Sequence, residues 1–316
     1  MKLLFTTPDY QYLADELLDR EDNEFTEAKL IRDVFPDGER YLCNPNHVKG
    51  THCVILSGTQ SLENIFEIVN LAYQLTTNGA SKLTIVIPYF GYQTMERISN
   101  PGEVVMAKTM AHWLSSIPRA AYGNEVIMLE LHTDAISNYF SPDVTTRAIA
   151  STDVVMQACV ELAGTDFVLG STDVGRAKAI EYIQRAFTTK GRGYNVDMAF
   201  VYKRRSASDH SKDNTEVTGV NADVKDRIVV IYDDMIRTGG SLMKAAKIYR
   251  EAGASEVYAV TTHGVLPGIA AGVIRNSDLI KKIALTNSHP VGATIGRDNP
   301  NYYRLYSIAG LLSRYI

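Results

Sequence analysis

Apolar residues come in short unbroken runs along this chain, and most runs end in small polar or charged residues. In the first half, Lys2–Thr7 (KLLFTT), His52–Thr59 (HCVILSGT), Ser81–Tyr92 (SKLTIVIPYFGY) and Glu125–Leu131 read as strands. Continuous rather than alternating apolarity predicts strands covered on both faces, as in parallel sheets. Between them apolar residues recur at helical spacing, in Tyr10–Leu18, Ser61–Thr77 and Val104–Leu114. The segment Glu27–Leu42 reads as strand, turn, strand around Pro36-Asp37-Gly38. The second half repeats the grammar. Strand Thr165–Thr172 leads to a helix from Asp173 to about Phe187, then to strands Asp197–Tyr202, Ile228–Tyr232 and Glu256–Gly264. Ser206–Val217 is polar and aperiodic, which predicts a mobile loop. This alternation predicts an α/β protein made of two similar doubly wound domains with parallel sheets. The domains are expected at residues 1–148 and 149–301. Residues 302–316 read as strand plus short helix, able to return to the first domain.

Parallel sheets bind ligands beyond the carboxyl ends of their strands. The stretch Ile228–Leu242 (IVVIYDDMIRTGGSL) concentrates chemistry at such an end. Asp233 and Asp234 follow the apolar run, then Arg237, Thr238, Gly239, Gly240 and Ser241 precede a helical pattern through Leu242, Ala245, Ala246 and Tyr249. Glycines let a backbone close around an anion, while hydroxyls and a new helix N-terminus supply donors. No Gly-Lys-Ser/Thr is present, so this is not a Walker A loop. An acid pair beside an anion site suits a sugar phosphate: it can accept from ribose hydroxyls or reach Mg2+ through water. Other candidates also follow strands: Asp37, Glu39, Arg97, His132, Asp173, Lys203 and Arg205. His132 can hold Mg2+ or its water, or serve structurally; Asp173 can cap a helix or bind metal. Lys203 and Arg205 alternate on an extended stretch and can face one side.

Composition narrows the classes. The chain has 316 residues, 45% hydrophobic and 22% charged, with a net charge of −4. That is a globular composition, and it argues against a nucleic-acid partner. No run has the length of a membrane span. Cys43, Cys53 and Cys159 match no metal-ligand spacing, which predicts a reduced, cytoplasmic protein.

The acid pair and glycine turn resemble the phosphoribosyl-diphosphate (PRPP) motif of phosphoribosyltransferases and ribose-phosphate pyrophosphokinases. Further strings resemble the pyrophosphokinases in family order: FPDGE (Phe35–Glu39), ELHTDAISNYF (Glu130–Phe140), GSTDVGRAK (Gly170–Lys178), YKRR (Tyr202–Arg205) and THGVL (Thr262–Leu266). The resemblance implies two type I phosphoribosyltransferase-like domains. It implies Mg2+-dependent transfer of the pyrophosphoryl group of ATP to the C1 hydroxyl of ribose 5-phosphate, giving PRPP and AMP. Phe35, Asp37, Glu39 and Arg97 would then contact ATP, and His132 and Asp173 the metal. Lys203 and Arg205 would be catalytic. Asp233, Asp234, Arg237, Thr238, Gly239, Gly240 and Ser241 would bind the sugar phosphate. The family's Phe-Pro-Asp-Gly-Glu turn reaches a neighbouring subunit, which implies a homo-oligomer built from dimers.

Two departures stand out. Family members carry Arg-Gln-Asp-Arg/Lys where this chain has Thr94, Met95, Glu96 and Arg97, so the grip on ATP is altered. Many carry an acid where this chain has Arg237. That cation motivates an alternative acceptor containing a second phosphate, such as ADP-ribose. A non-catalytic regulatory relative is a second alternative, and a phosphoribosyltransferase sharing only the PRPP loop a third.

Overall fold

A computed structural model describes residues 2–191, 193–205 and 215–316, without the side chains of residues 203–205 and 215–218. The expected loop Ser206–Val217 therefore lies largely outside the described residues. Its last residues, from Thr215, form strand backbone. The chain divides into two compact units, Met1–Ala150 with Ala309–Ile316, and Ser151–Ile308.

The first unit runs β1 (Lys2–Thr6), α1 (Gln11–Leu18), β2 (Phe25–Glu27), β3 (Ile31–Val34), β4 (Arg40–Cys43), β5 (His52–Leu56) and α2 (Leu62–Thr77). It continues with β6 (Lys82–Ile87), α3 (Met106–Ser115), β7 (Asn124–Leu129) and β8 (Val144–Ile149). Six parallel strands form one sheet in the order β2-β1-β5-β6-β7-β8. β8 occupies the stretch where a joint between domains was expected; its fit as an edge strand comes from pairing with β7. β3 and β4 form a separate antiparallel hairpin closed by the Pro36-Asp37-Gly38 turn. Phe5, Ile55, Ile85 and Met128 of the sheet pack with Ile65, Ile68 and Leu75 of α2 and Met110 of α3. Ser61 caps α2 by accepting from the Asn64 amide at 3.2 Å, which satisfies an otherwise orphan donor.

The second unit runs α4 (Thr152–Ala163), β9 (Asp166–Ser171), α5 (Ala177–Lys190), β10 (Asn195–Arg205), β11 (Thr215–Val220), β12 (Ile228–Ile236) and α6 (Gly240–Glu251). Then come β13 (Glu256–Gly264), α7 (Ala270–Arg275), β14 (Ile283–Thr286), α8 (Pro290–Asp298) and β15 (Tyr303–Tyr306). The sheet order is β11-β10-β9-β12-β13-β14-β15, parallel except for the antiparallel β11. The apolar run of β12 splits between two cores. Val229 and Ile231 face Leu242, Tyr249 and Ile274, whereas Val230 and Tyr232 pack with Val155, Cys159, Ile180 and Ile183. Each such side chain contributes about 1.5–3 kcal/mol by leaving water, which is why the run has no polar alternation. β15 stays in this sheet, paired with β14 and anchored by the Tyr303 hydroxyl donating to the Ala271 carbonyl at 2.6 Å. The chain joins the first unit only at α9 (Ala309–Leu312), which packs on α1.

Candidate active site

β12 is longer than its apolar run suggests. Asp233 and Asp234 lie inside the strand, still paired with β13, rather than in a loop after it. Their side chains therefore sit on a rigid element at the sheet's carboxyl end. Asp234 is 2% exposed as a residue. Two adjacent buried carboxylates need a counter-charge, and Arg176 supplies it. Its Nε lies 3.3 Å from Asp233 Oδ1 and its Nη2 2.5 Å from Asp234 Oδ1. Thr172 Oγ1 donates to Asp233 Oδ2 at 3.3 Å, and the Met235 amide donates to Asp234 Oδ1 at 2.9 Å. Burial, with Asp234 alongside, still pushes the Asp233 carboxyl up to about 8.

The turn after β12 is shaped by Gly239. It has φ +79, and a Cβ there would stand 2.4 Å from Ile274 Cδ1, so both conformation and packing require glycine. α6 starts at once on Gly240, so the amides of its first turn have no acceptor within the helix. Arg237, Thr238 and Ser241 are exposed. Their side chains have no hydrogen-bond or ion-pair partner among the described residues. The loop is thus a ring of uncommitted donors at a helix N-terminus, the arrangement that binds phosphate.

The neighbouring strand end is locked to it. Tyr249, on α6, places its hydroxyl 3.0 Å from the carbonyls of Ser171 and Ala199 and accepts from the Ser171 amide at 3.2 Å. Ser171 Oγ donates to the Asp173 carbonyl at 2.7 Å. Asp173 follows in extended conformation at the head of a short 3-10 turn, Val174–Arg176, and its side chain makes no cap hydrogen bond. The helix expected from Asp173 begins as an α-helix only at Ala177. Lys203 and Arg205 lie on β10 as backbone, past a register shift at Tyr202; their side chains lie outside the described residues.

In the first unit, His132 follows β7 and is partly buried. Its amide donates to Gln93 Oε1 at 2.8 Å, and Gln93 is itself buried, with no partner for Nε2 among the described residues. Arg97 is 81% exposed at the side chain and lies 3.5 Å from Glu96 Oε1. Phe35 is half exposed at the tip of the β3–β4 hairpin, edge-on to Tyr41 at 5.8 Å. Asp37 accepts from the Glu39 amide at 3.1 Å, and both residues are exposed.

Sequence reasoning missed Arg176, Thr172, Tyr249 and Gln93. Arg176 stands inside the GSTDVGRAK string, but its partners lie 57 and 58 positions on; only the pairing of β9 with β12 brings them together. No cluster of three His, Cys, Asp or Glu side chains able to hold a metal exists among the described residues. Mg2+ takes most of its ligands from water and substrate phosphates rather than from an all-protein cage, so a site for it does not require such a cluster.

Doubly wound sheets, one of them bearing a glycine turn, uncommitted hydroxyls and a braced acid pair, define a fold of the phosphoribosyltransferase type. The N-terminal domain of ribose phosphate pyrophosphokinase matches residues 2–117, and the phosphoribosyl synthetase-associated domain matches residues 195–298. Ribose-phosphate pyrophosphokinase from Chromobacterium violaceum is 33% identical over 285 residues, 88% of this chain and 80% of that protein. The Vibrio vulnificus protein of the same name is 34% identical over 282 residues, 87% and 83% of the two chains. The structure of phosphoribosylpyrophosphate synthetase from Mycobacterium smegmatis superposes with a TM-score of 0.82 at 25% identity, covering 99% of this chain and 96% of that one. The chain belongs to the ribose-phosphate pyrophosphokinase family of diphosphotransferases.

Proposed function

We propose that this enzyme transfers the pyrophosphoryl group of ATP to the C1 hydroxyl of ribose 5-phosphate. The observation that carries the reading is the β12–α6 turn, with free hydroxyls and amides beside the acid pair. The 5-phosphate binds Thr238–Ser241, and Asp233 and Asp234 accept from the ring hydroxyls. The C1 oxygen forms a bond to the β-phosphorus of ATP, the bond to the bridging oxygen breaks, AMP leaves, and the hydroxyl proton passes to water. Lys203 and Arg205 stabilise charge on the transferring group. Phe35, Asp37, Glu39 and Arg97 contact the nucleotide. His132 and Asp173 would each help to hold Mg2+, which would supply neutralisation of phosphate charge. The test is AMP release from ATP and Mg2+ in the presence of ribose 5-phosphate; no AMP with any acceptor would favour a regulatory role.

The hairpin supports a homo-oligomer in which its tip completes a neighbour's nucleotide site. Val34, Phe35, Tyr41 and Phe66 leave apolar surface exposed there. Mixed oligomers of Asp37→Ala and His132→Ala chains should regain activity, and failure to do so in verified mixtures counts against a shared site. The cysteines are free thiols, consistent with a cytoplasmic setting. No described helix is long and apolar enough to cross a membrane.

One observation favours a larger acceptor. Arg237 is exposed and does not pair with Asp234, whose cation is Arg176. Its guanidinium is available for a second phosphate, as in ADP-ribose. Comparing kcat/KM for ribose 5-phosphate and ADP-ribose in wild type and Arg237→Asp decides it. Loss of ADP-ribose use alone supports the larger acceptor; an unchanged preference for ribose 5-phosphate rejects it.

A further inference from the structure

Arg176 stands inside the GSTDVGRAK string without a role assigned by it, yet it touches both acids. We propose that Arg176 is a positioning residue for the acceptor sugar: a resident counter-cation that holds Asp233 and Asp234 as hydroxyl acceptors and keeps a divalent ion off them. This rests on reading the β12–α6 turn as the sugar-phosphate site.

The geometry leaves little room for another cation. Arg176 covers Asp233 Oδ1 at 3.3 Å and Asp234 Oδ1 at 2.5 Å. Asp233 Oδ2 accepts from Thr172, and Asp234 Oδ1 also accepts from the Met235 amide. Mg2+ demands oxygens at about 2.0–2.1 Å in a near-octahedral shell, so binding through either Oδ1 would require it to displace the guanidinium. It would also meet that guanidinium's charge in a poorly solvated place, with side-chain exposures of only 19% for Arg176 and 3% for Asp234. A sugar hydroxyl has neither problem. It is neutral, and a carboxylate oxygen with one partner keeps a second lone pair for another donor.

Charge balance favours the same conclusion. Without Arg176 the site would present two carboxylates to an anionic sugar phosphate. With it, the net negative charge of the pair is lowered, and repulsion of the phosphate falls. Arg176 follows β9 and the acids end β12, so the ion pair also ties together the two strand ends that carry Asp173 and the phosphate turn. A planar fork suits this bridging better than an ammonium would.

The test is calorimetric titration of the full chain with ribose 5-phosphate and no nucleotide, with and without Mg2+. Wild type should bind equally well in both conditions, and should bind 2-deoxyribose 5-phosphate about tenfold more weakly, as expected for one lost hydrogen bond to a charged group. Arg176→Met should weaken ribose 5-phosphate binding at least tenfold and make what remains Mg2+-dependent. Arg176→Lys should recover part of the affinity. Binding of a non-hydrolysable ATP analogue should be the same in all three. Sugar binding by wild type that strictly requires Mg2+ overturns the proposal and needs no variant, so a poorly folding Arg176→Met cannot shield it. Undiminished, Mg2+-independent binding by folded Arg176→Met also overturns it. If wild type binds neither ribose 5-phosphate nor inorganic phosphate, the sugar-phosphate reading itself falls, and this one with it.

Discussion

The two units share one plan and put it to different use. Leaving β11 aside, the second sheet runs β10-β9-β12-β13-β14-β15, matching β2-β1-β5-β6-β7-β8 of the first position for position. The third strand of each unit ends in a small-residue turn before a helix. After β5 the turn is closed on itself: Ser57 Oγ lies 2.8 Å from Thr7 Oγ1, and Thr59 Oγ1 accepts from the Gly91 amide at 2.7 Å, all buried. After β12, Thr238 and Ser241 are exposed and uncommitted. Hydroxyls spent on the protein build a scaffold, and hydroxyls left over build a site. The second strands differ too. β2 is Phe25–Glu27, whereas β10 continues to Arg205 and carries Lys203 and Arg205 beyond the length of its counterpart.

The largest effect should come from that extension. Lys203→Ala and Arg205→Ala should each lower kcat by about 30-fold to 1,000-fold, or 2–4 kcal/mol, with much smaller changes in KM. Steady-state kinetics with kcat near wild type would break the contrast between β10 and β2. Next is the acid pair, which has no equivalent after β5. Asp234→Ala leaves Arg176 short of its closest partner in a mostly buried place and should cost about 3 kcal/mol of stability in denaturant titration. A variant as stable as wild type would mean the pair is not structurally coupled.

The hydroxyl contrast predicts opposite readouts. Thr238→Ala and Ser241→Ala should raise KM for the sugar phosphate about tenfold and leave stability unchanged, since each loses a hydrogen bond to a charged group. Thr59→Ala should do the reverse: it orphans the buried Gly91 amide and costs about 1–3 kcal/mol of stability, with KM for the sugar unmoved. A shared phenotype would show that the two turns are not divided between scaffold and site.

The smallest effect concerns acid stability, and it appears in both units. His52, beside Thr84, and His289, which caps α8, are each lowered by burial to about 4 from an ordinary 6.5. The folded state therefore favours the neutral ring. The stability each contributes is complete above pH 6.5 and is lost as pH falls from 6.5 toward 4. His52→Asn and His289→Asn should flatten the dependence of Tm on pH in that window, and Asn at 289 can still cap the helix. An unchanged slope in both variants would assign the acid sensitivity elsewhere.

Much of this molecule was legible in one dimension. Buried parallel strands announce themselves as apolar runs because both faces are covered, as Val229–Tyr232 shows. The glycine turn was legible because a left-handed residue under Ile274 admits only glycine. Family motifs in order gave the class of chemistry. β8 and α4 were not legible: an edge strand with exposed Thr145, Arg147 and Ala148 lacks the apolar run that marks its neighbours. The end of β12 was also misread, because charged residues ordinarily end a strand, whereas pairing with β13 carries this one through both acids.

What tertiary structure alone decided is who neutralises those acids. From the sequence, Arg237 is the cation nearest Asp234 along the chain. In the fold, Arg237 is exposed beyond the strand, and Arg176 reaches the pair from the end of β9. Spacing along a chain dictates secondary structure because backbone hydrogen bonds and helical or pleated periodicity are local. Ion pairing is set by distance in space and by burial, and those exist only once the strands have chosen their neighbours.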